Sequence, residues 1–124
     1  MSPRDKQTEA TLTRHLRAFA NSSVDDVMQD YTEDSFLVIP GVQLHGLTEI
    51  RKFFTTFIET IPADFLEAFR IQKLEIIGEF GYLLWEASPW VLLGTDTFFV
   101  PDGHIKMQTF AAHPLSAVPD LEVQ

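Results

Sequence analysis

The strand-like pattern of residues 66 to 112 constrains the fold of this chain more than any other feature of its sequence. These residues show no helical periodicity, and runs rich in aliphatic, β-branched and aromatic residues follow one another: LEAFRIQKLEII, YLLWEAS, WVLLGTDTFFV and HIKMQTFAA. Gly78, Gly81, Pro89 and a Pro-Asp-Gly turn separate the runs. Short strands divided by such breaks predict an antiparallel meander of three or four strands.

Helical patterns come before the meander. From Thr8 to Ala20 one stripe carries His15 together with the apolar residues Leu12, Leu16 and Phe19. A short second helix has the apolar face Val24, Val27, Met28 and Tyr31, and the segment SFLVIP that follows it predicts a short buried strand. A third helix, capped by Thr48 and stopped by Pro62, has a wide apolar face: Ile50, Phe53, Phe54, Phe57, Ile58 and Ile61.

Helices followed by strands predict the α+β class. The length of 124 residues fits one domain, with its core between residues 8 and 112. The last residues, 114–124, contain two prolines and two acids, and we expect them to be a loosely ordered tail.

The segment GTDTFFVPDGHIKMQTFAA places one acidic residue, Asp96, among aromatics in a predicted hairpin. A three-residue loop at Pro101-Asp102-Gly103 would pair Val100 with His104. Counting back along both strands then puts Asp96 opposite Gln108, on the face that also carries Phe98 and Phe110. Aspartate is depleted in strands and costly to bury, so this position indicates either a functional carboxyl or a solvated strand face.

Charge and composition exclude several classes of partner. The formal net charge is −9, and the nine Lys and Arg residues are scattered, which argues against nucleic acid or an anionic membrane as a partner. No apolar run approaches the roughly 18 to 20 residues of a membrane span, and the polar N-terminus does not resemble a signal peptide, so we expect a cytoplasmic protein. There is no cysteine, and no two histidines have metal-ligand spacing, so neither a metal nor a cofactor is predicted.

The aromatic content is high, with eleven Phe and two Trp. Several strands are apolar on both faces, as the sequence YLLW shows. One face would pack on the helices, and we expect the other to meet a second subunit in a homodimer.

The order of these elements resembles the NTF2-like superfamily, and within it the SnoaL-like polyketide cyclase and ketosteroid isomerase branch. The resemblance covers residues 8 to 112. It depends on FANSSVDDVMQDYTEDSFLVIP, on GVQLHGLTEIRKFF before the third helix, and on the GTDTFFVPDGHIKMQTF hairpin. It implies a strongly curved sheet wrapped around helices, a conical apolar pocket, and dimerisation through the outer face of the sheet.

The resemblance also implies roles for individual residues. Asp96 aligns with the protonated acid that donates a hydrogen bond to the oxyanion in ketosteroid isomerases. His15 replaces the tyrosine donor of those enzymes and Ile39 replaces their general base, so this chain is not expected to be a ketosteroid isomerase.

The leading hypothesis is a cofactor-free protein that binds a small hydrophobic ligand and performs acid-base chemistry of the isomerase, cyclase or dehydratase type. Asp96 and His15 are its predicted catalytic residues, and Gln108 orients the carboxyl or the ligand. The predicted pocket wall consists of Phe98, Phe110, Trp85, Phe53, Phe57 and Tyr31. The alternative is a non-catalytic ligand-binding or dimerisation module in which Asp96 is structural.

Three further residues have less specific predictions. His45 is expected in a loop near the pocket mouth. Glu86 is expected in a salt bridge or at an edge of the sheet, facing either the pocket or the interface. His104 is expected to be exposed.

Overall fold

A computed structural model describes residues 1–115, and the residues of the predicted tail beyond Leu115 lie outside this range. The elements are α1 (Pro3–Ala20), α2 (Val24–Met28), β1 (Phe36–Ile39), β2 (Val42–His45), α3 (Gly46–Thr60), α4 (Phe65–Ala68), β3 (Phe69–Ile77), β4 (Phe80–Ala87), β5 (Val91–Phe99) and β6 (Met107–His113). The predicted α+β class is confirmed. No helix in the described range is long and apolar enough to cross a membrane.

The six strands form one curved, unclosed sheet in the order β2-β1-β6-β5-β4-β3. The predicted meander is present, since β3 to β6 pair antiparallel with their neighbours. A parallel pairing of β1 with β6 then adds the β1–β2 hairpin to the sheet. The inner face of the sheet packs on α1 and α3, and the core lies between these layers.

Helix α1 is tied to the turn between β3 and β4. It begins at Pro3, five residues earlier than predicted, because Ser2 and Asp5 form a capping box. The Asp5 carboxylate also accepts a hydrogen bond from the backbone N–H of Gly78 (2.6 Å), and the Thr8 hydroxyl donates to the Gly78 carbonyl (2.7 Å). The first turns of the helix therefore hold the tip of a hairpin that is distant in sequence.

Several predicted boundaries are wrong because tertiary contacts override local pattern. The segment Phe65–Ala68 is helical, so β3 begins at Phe69, and β2 was not predicted at all. Helix α3 begins at Gly46 without a side-chain cap, and α2 ends at Met28, before Tyr31. Gly81 lies inside β4 rather than between strands, and it is a glycine because a methyl group of Leu12 occupies the space where a Cβ would be.

The hairpin between β5 and β6 has a different register from the one predicted. Phe99 pairs with Met107, so residues 100–106 form the connection, and Asp96 pairs with Phe110 while Phe98 pairs with Gln108. The register is displaced by two residues because Val100 and Ile105 are buried in the connection and bond to distant backbone, at Glu79 and Asp30. A displacement of two residues preserves the face, so the predicted shared face is correct.

Candidate functional site

A small cavity lies between α1, α3 and the inner face of the sheet. Its volume is about 50 Å³. Its walls are His15, Leu16, Phe19, Phe53, Phe54, Phe57, Phe69, Leu83, Trp85, Asp96, Phe98, Gln108 and Phe110. All predicted site residues except Tyr31 line this cavity, and Tyr31 is buried behind Gln108.

Five lining residues were not predicted as site residues. Leu16, Phe19 and Phe54 were recognised only as parts of apolar helix faces, and Phe69 and Leu83 only as members of strand runs. Periodicity identifies a buried face but does not separate a cavity wall from solid core.

The carboxylate of Asp96, on β5, accepts one hydrogen bond from each of the two neighbouring strands. From β4, the indole Nε1–H of Trp85 donates to Oδ1 (2.8 Å), and from β6, the amide Nε2–H of Gln108 donates to Oδ2 (2.8 Å). The indole can lie across β5 only because Gly94 is there: a Cβ at Gly94 would stand 2.1 Å from a ring carbon of Trp85. Gly94 therefore positions the group that bonds Asp96.

The burial of Asp96 controls its acidity. Its side chain is 93% shielded among aromatic rings, and both hydrogen-bond donors are neutral. Desolvation raises the pKa of Asp96 to about 6, against the smaller lowering effect of the bonds from Trp85 and Gln108. The carboxyl can therefore gain or lose a proton near neutral pH.

Hydrogen bonds continue from Asp96 through buried side chains toward the surface. The Tyr31 hydroxyl donates to Oε1 of Gln108, and its oxygen lies 3.4 Å from Nε2 of His15. Nδ1 of His15 lies 3.1 Å from Oδ2 of Asp30, whose other oxygen accepts from the guanidinium of the exposed Arg14. Among residues 1–115, no buried side-chain nitrogen or oxygen lacks a hydrogen-bond partner.

Asp30 is a site residue that the sequence analysis missed. Its side chain is fully buried, and although this burial opposes ionisation, the hydrogen bonds from His15 and Arg14 lower its pKa below the ordinary value. Asp30 is therefore the ionised end of the chain of hydrogen bonds. The adjacent residues Arg14 and His15 did not point to Asp30 in the sequence, because Asp30 lies past the end of α2 and contacts them only in the folded chain.

His15 and Asp96 line the same cavity without bonding each other. His15 was predicted to be the proton-transfer partner of Asp96, and the two are linked through Tyr31 and Gln108. Burial, with the charges of Asp96 and Asp30, raises the pKa of Tyr31 well above its ordinary value. Tyr31 is consequently a neutral hydroxyl that can donate in one direction and accept from another.

The remaining candidates lie elsewhere. His45 ends β2 and its ring stacks on Phe36 at 4.2 Å, away from the cavity wall, so the predicted loop position is wrong. Glu86 lies on the outer face of β4, an interior strand, and accepts hydrogen bonds from Gln72 and Ser88, so neither an edge position nor a salt bridge is present. His104 is exposed, as predicted. Within the described residues, no group of three or more acidic or histidine side chains has a geometry that could hold a metal ion.

The architecture defined by this sheet and cavity is that of NTF2-like, cystatin-like and SnoaL-like proteins. An NTF2-like protein of unknown function from Mesorhizobium loti superposes with a TM-score of 0.74 and 16% identity, over 90% of this chain and 95% of that one. A SnoaL-like protein of unknown function from Burkholderia thailandensis gives 0.71 and 12%, over 86% and 94%. A ketosteroid isomerase candidate from Kribbella flavida gives 0.70 and 15%, over 97% and 83%.

This chain thus has the NTF2-like fold, as the resemblance of its sequence predicted. No protein-family model matches the sequence, and no curated protein matches it. The identities are low, so these similarities establish the fold alone, and the function has to be argued from the site.

Proposed function

We propose that the cavity binds a small, largely apolar molecule with one oxygen acceptor, and that Asp96 and His15 exchange protons with it. One observation carries this proposal: a buried carboxyl with a pKa of about 6 lines an aromatic cavity beside an imidazole. Titratable groups with perturbed acidity in an apolar cavity are typical of acid-base sites.

The two groups suit proton transfer beside a carbonyl. At pH 7 a carboxyl with this pKa is about nine-tenths ionised, so Asp96 can accept a proton from the carbon next to the carbonyl. His15 can supply a proton to the oxygen or to another carbon. Removal and return of protons without a cofactor gives isomerisation, aldol-type cyclisation or dehydration, depending on the ligand.

The dimensions of the cavity restrict the ligand. A cavity that binds benzene measures roughly 150 Å³, three times the space present here. The half-buried side chains of Leu16, Phe19 and Phe69 are the most exposed part of the wall. We therefore expect either a ligand of a few heavy atoms or movement of these three side chains around a larger one.

Proton exchange with a simple ketone tests the catalytic proposal. In D2O, the protein should speed deuterium incorporation beside the carbonyl of acetone, a ketone of only a few heavy atoms, followed by NMR. Asp96→Asn should slow this exchange by about a hundredfold or more, because it removes the base. The exposed Asp64→Asn is the matched control and should match the parent protein; equal rates in Asp96→Asn would contradict the mechanism.

A non-catalytic binding module is the second candidate. Both Asp96 oxygens already accept hydrogen bonds from the protein, and Ile39, which aligns with the isomerase base, is buried in the core. Native mass spectrometry that detects a retained small molecule, together with no deuterium exchange in the parent protein, would favour this candidate.

We also propose that the outer face of the sheet forms a homodimer. Large apolar side chains are exposed there on β3 to β6: Ile77, Phe80, Tyr82, Leu92, Leu93 and Met107. Exposed apolar clusters of this kind mark association surfaces. A strict monomer at micromolar concentration would contradict this part of the proposal.

A further inference from the structure

The donors and acceptors between His15 and Asp96 can be assigned in two self-consistent ways. In the structure, Gln108 donates through Nε2 to Asp96 and accepts through Oε1 from Tyr31. The one hydroxyl proton of Tyr31 is then in use, so its oxygen can only accept from Nε2 of His15. Since Nδ1 of His15 donates to the ionised Asp30, both ring nitrogens carry protons, and a cationic His15 accompanies an anionic Asp96.

The second assignment reverses the three bonds that link Asp96, Gln108, Tyr31 and His15. A protonated Asp96 donates from Oδ2 to Oε1 of a Gln108 amide that has turned over, and Nε2 of Gln108 donates to the Tyr31 oxygen. Tyr31 then donates to Nε2 of a neutral His15. The bonds at the two ends persist, because Trp85 still donates to Asp96 and His15 still donates to Asp30.

Both assignments contain the same number of protons. One proton has left Nε2 of His15 and one is bound at Oδ2 of Asp96, and no other species is consumed. If Asp96 and His15 were both protonated, two protons would face each other at one of the bonds between them. If both were deprotonated, two lone pairs would face each other. Either arrangement costs free energy in a buried site.

We infer that Gln108 and Tyr31 couple the protonation of Asp96 to that of His15, so that the acid and the base of the cavity exchange one proton through a reversal of the Gln108 amide. Gln108 and Tyr31 are positioning residues in this scheme. The coupling goes beyond the ligand-binding role, and its use in a reaction depends on the proposed function.

The surroundings of the two groups favour this coupling. Arg14 and Asp30 fix the outer nitrogen of His15, which leaves only Nε2 free to change. The other elements around the cavity contribute neutral side chains: α3 supplies Phe53, Phe54 and Phe57, and β4 and β6 supply Trp85 and Phe110. Among the residues that line the cavity, His15 and Asp96 are thus the ionisable ones.

A reaction would use the coupling to reset the site. When Asp96 has taken a proton from the ligand and His15 has supplied one, Asp96 is neutral and His15 is neutral. This is the second assignment, and it keeps every bond of the chain. Return to the first assignment restores the base and the acid without a proton from solvent.

The ligand-free protein tests the coupling by NMR at pH 7.5. In the parent protein, both ring nitrogens of His15 should carry protons, and the Gln108 amide protons should show a nuclear Overhauser effect to the Trp85 Nε1–H. A His15 Nε2 without a proton while the Asp96 carboxyl is ionised would overturn the inference, and this measurement requires no variant.

Asp96→Asn should lock the second assignment. Trp85 requires an acceptor, so the new amide must direct its oxygen to Trp85 and its nitrogen to Gln108, which forces the Gln108 amide to turn over. The Overhauser effect should move to the Tyr31 ring protons, and the His15 Nε2–H signal should be lost. Unchanged Gln108 contacts in Asp96→Asn would overturn the inference.

A second substitution separates bonding from simple charge effects. Adding Tyr31→Phe to Asp96→Asn should increase the fraction of His15 that carries an Nε2 proton, because the hydroxyl that donates to the unprotonated Nε2 is gone. Adding Tyr82→Phe, on the outer face, should not. If Tyr31→Phe has no effect in this background, loss of the Asp96 charge alone explains the change. Because no ligand is used, these outcomes are independent of the deuterium-exchange test.

Discussion

Asp96 binds its proton more tightly in the folded chain than in the unfolded one. Its pKa rises from 3.8 to about 6 because burial among aromatic rings outweighs the bonds from Trp85 and Gln108. The stability that this proton contributes is fully present below pH 3.8 and is lost as the pH rises through 6. The residue thus makes the fold slightly less stable at the pH where it can act as a base.

Asp96→Asn should remove this pH dependence. Relative to the variant, the parent protein should lose about 1 kcal/mol of unfolding free energy between pH 5 and pH 7. Urea denaturation of both proteins at both pH values measures the difference. A difference between the two proteins that stays constant with pH would contradict the raised pKa.

Gly94→Ala should displace the Trp85 indole. The new methyl group would overlap the rigid ring, so Trp85 must move away from Asp96, and strain with loss of the hydrogen bond should cost about 2 kcal/mol. The Trp85 Nε1–H resonance reports the bond directly. An unshifted resonance would show that the indole does not lie across β5 at Gly94.

At the scale of elements, α1 holds the β3–β4 turn through Thr8 and Asp5. Thr8→Val should destabilise the protein by roughly 1 to 3 kcal/mol, because it leaves the Gly78 carbonyl without its side-chain donor. The exposed Thr13→Val changes helix propensity equally and should cost only a few tenths of a kcal/mol. Equal effects of the two substitutions in thermal denaturation would contradict this role of Thr8.

The sequence predicted the order of the main helices and of the meander strands, and it placed Asp96 and Gln108 on one face. These features depend on local periodicity, which α1, α3 and β3 to β6 express strongly. The register between β5 and β6 could not be predicted, because Val100 and Ile105 are fixed by backbone groups at Glu79 and Asp30. Asp30 itself was missed since no local pattern distinguishes a buried acid from the exposed acids Asp25 and Asp26.

At the scale of the whole molecule, the two faces of the sheet carry different features. The inner face carries the cavity, and the outer face carries the apolar cluster proposed as a dimer interface. The same strands supply both, since side chains alternate along each strand: Trp85 points inward and Glu86 outward. Association through the outer face would leave Leu16, Phe19 and Phe69, the most exposed part of the cavity wall, uncovered.

Phe80→Glu should weaken the proposed dimer. Phe80 is 53% exposed and stacks on Phe99, so a carboxylate there would place charge among the exposed apolar side chains of this face. Sedimentation velocity should show a dimer for the parent protein and monomer for the variant at the same concentration. Leu47→Glu, on α3, is the control and should stay dimeric; a Phe80→Glu variant as dimeric as the parent would exclude this face.

The bond between the Trp85 indole and Asp96 has a practical consequence. An ionised carboxylate beside an indole N–H alters its fluorescence, so light emitted by Trp85 reports the charge state of the cavity. The chain has two tryptophans, and Trp90→Phe would leave Trp85 as the sole emitter. We therefore expect Trp85 to serve as an optical indicator, with which unlabelled compounds that do not absorb in the indole range can be screened against the cavity in solution.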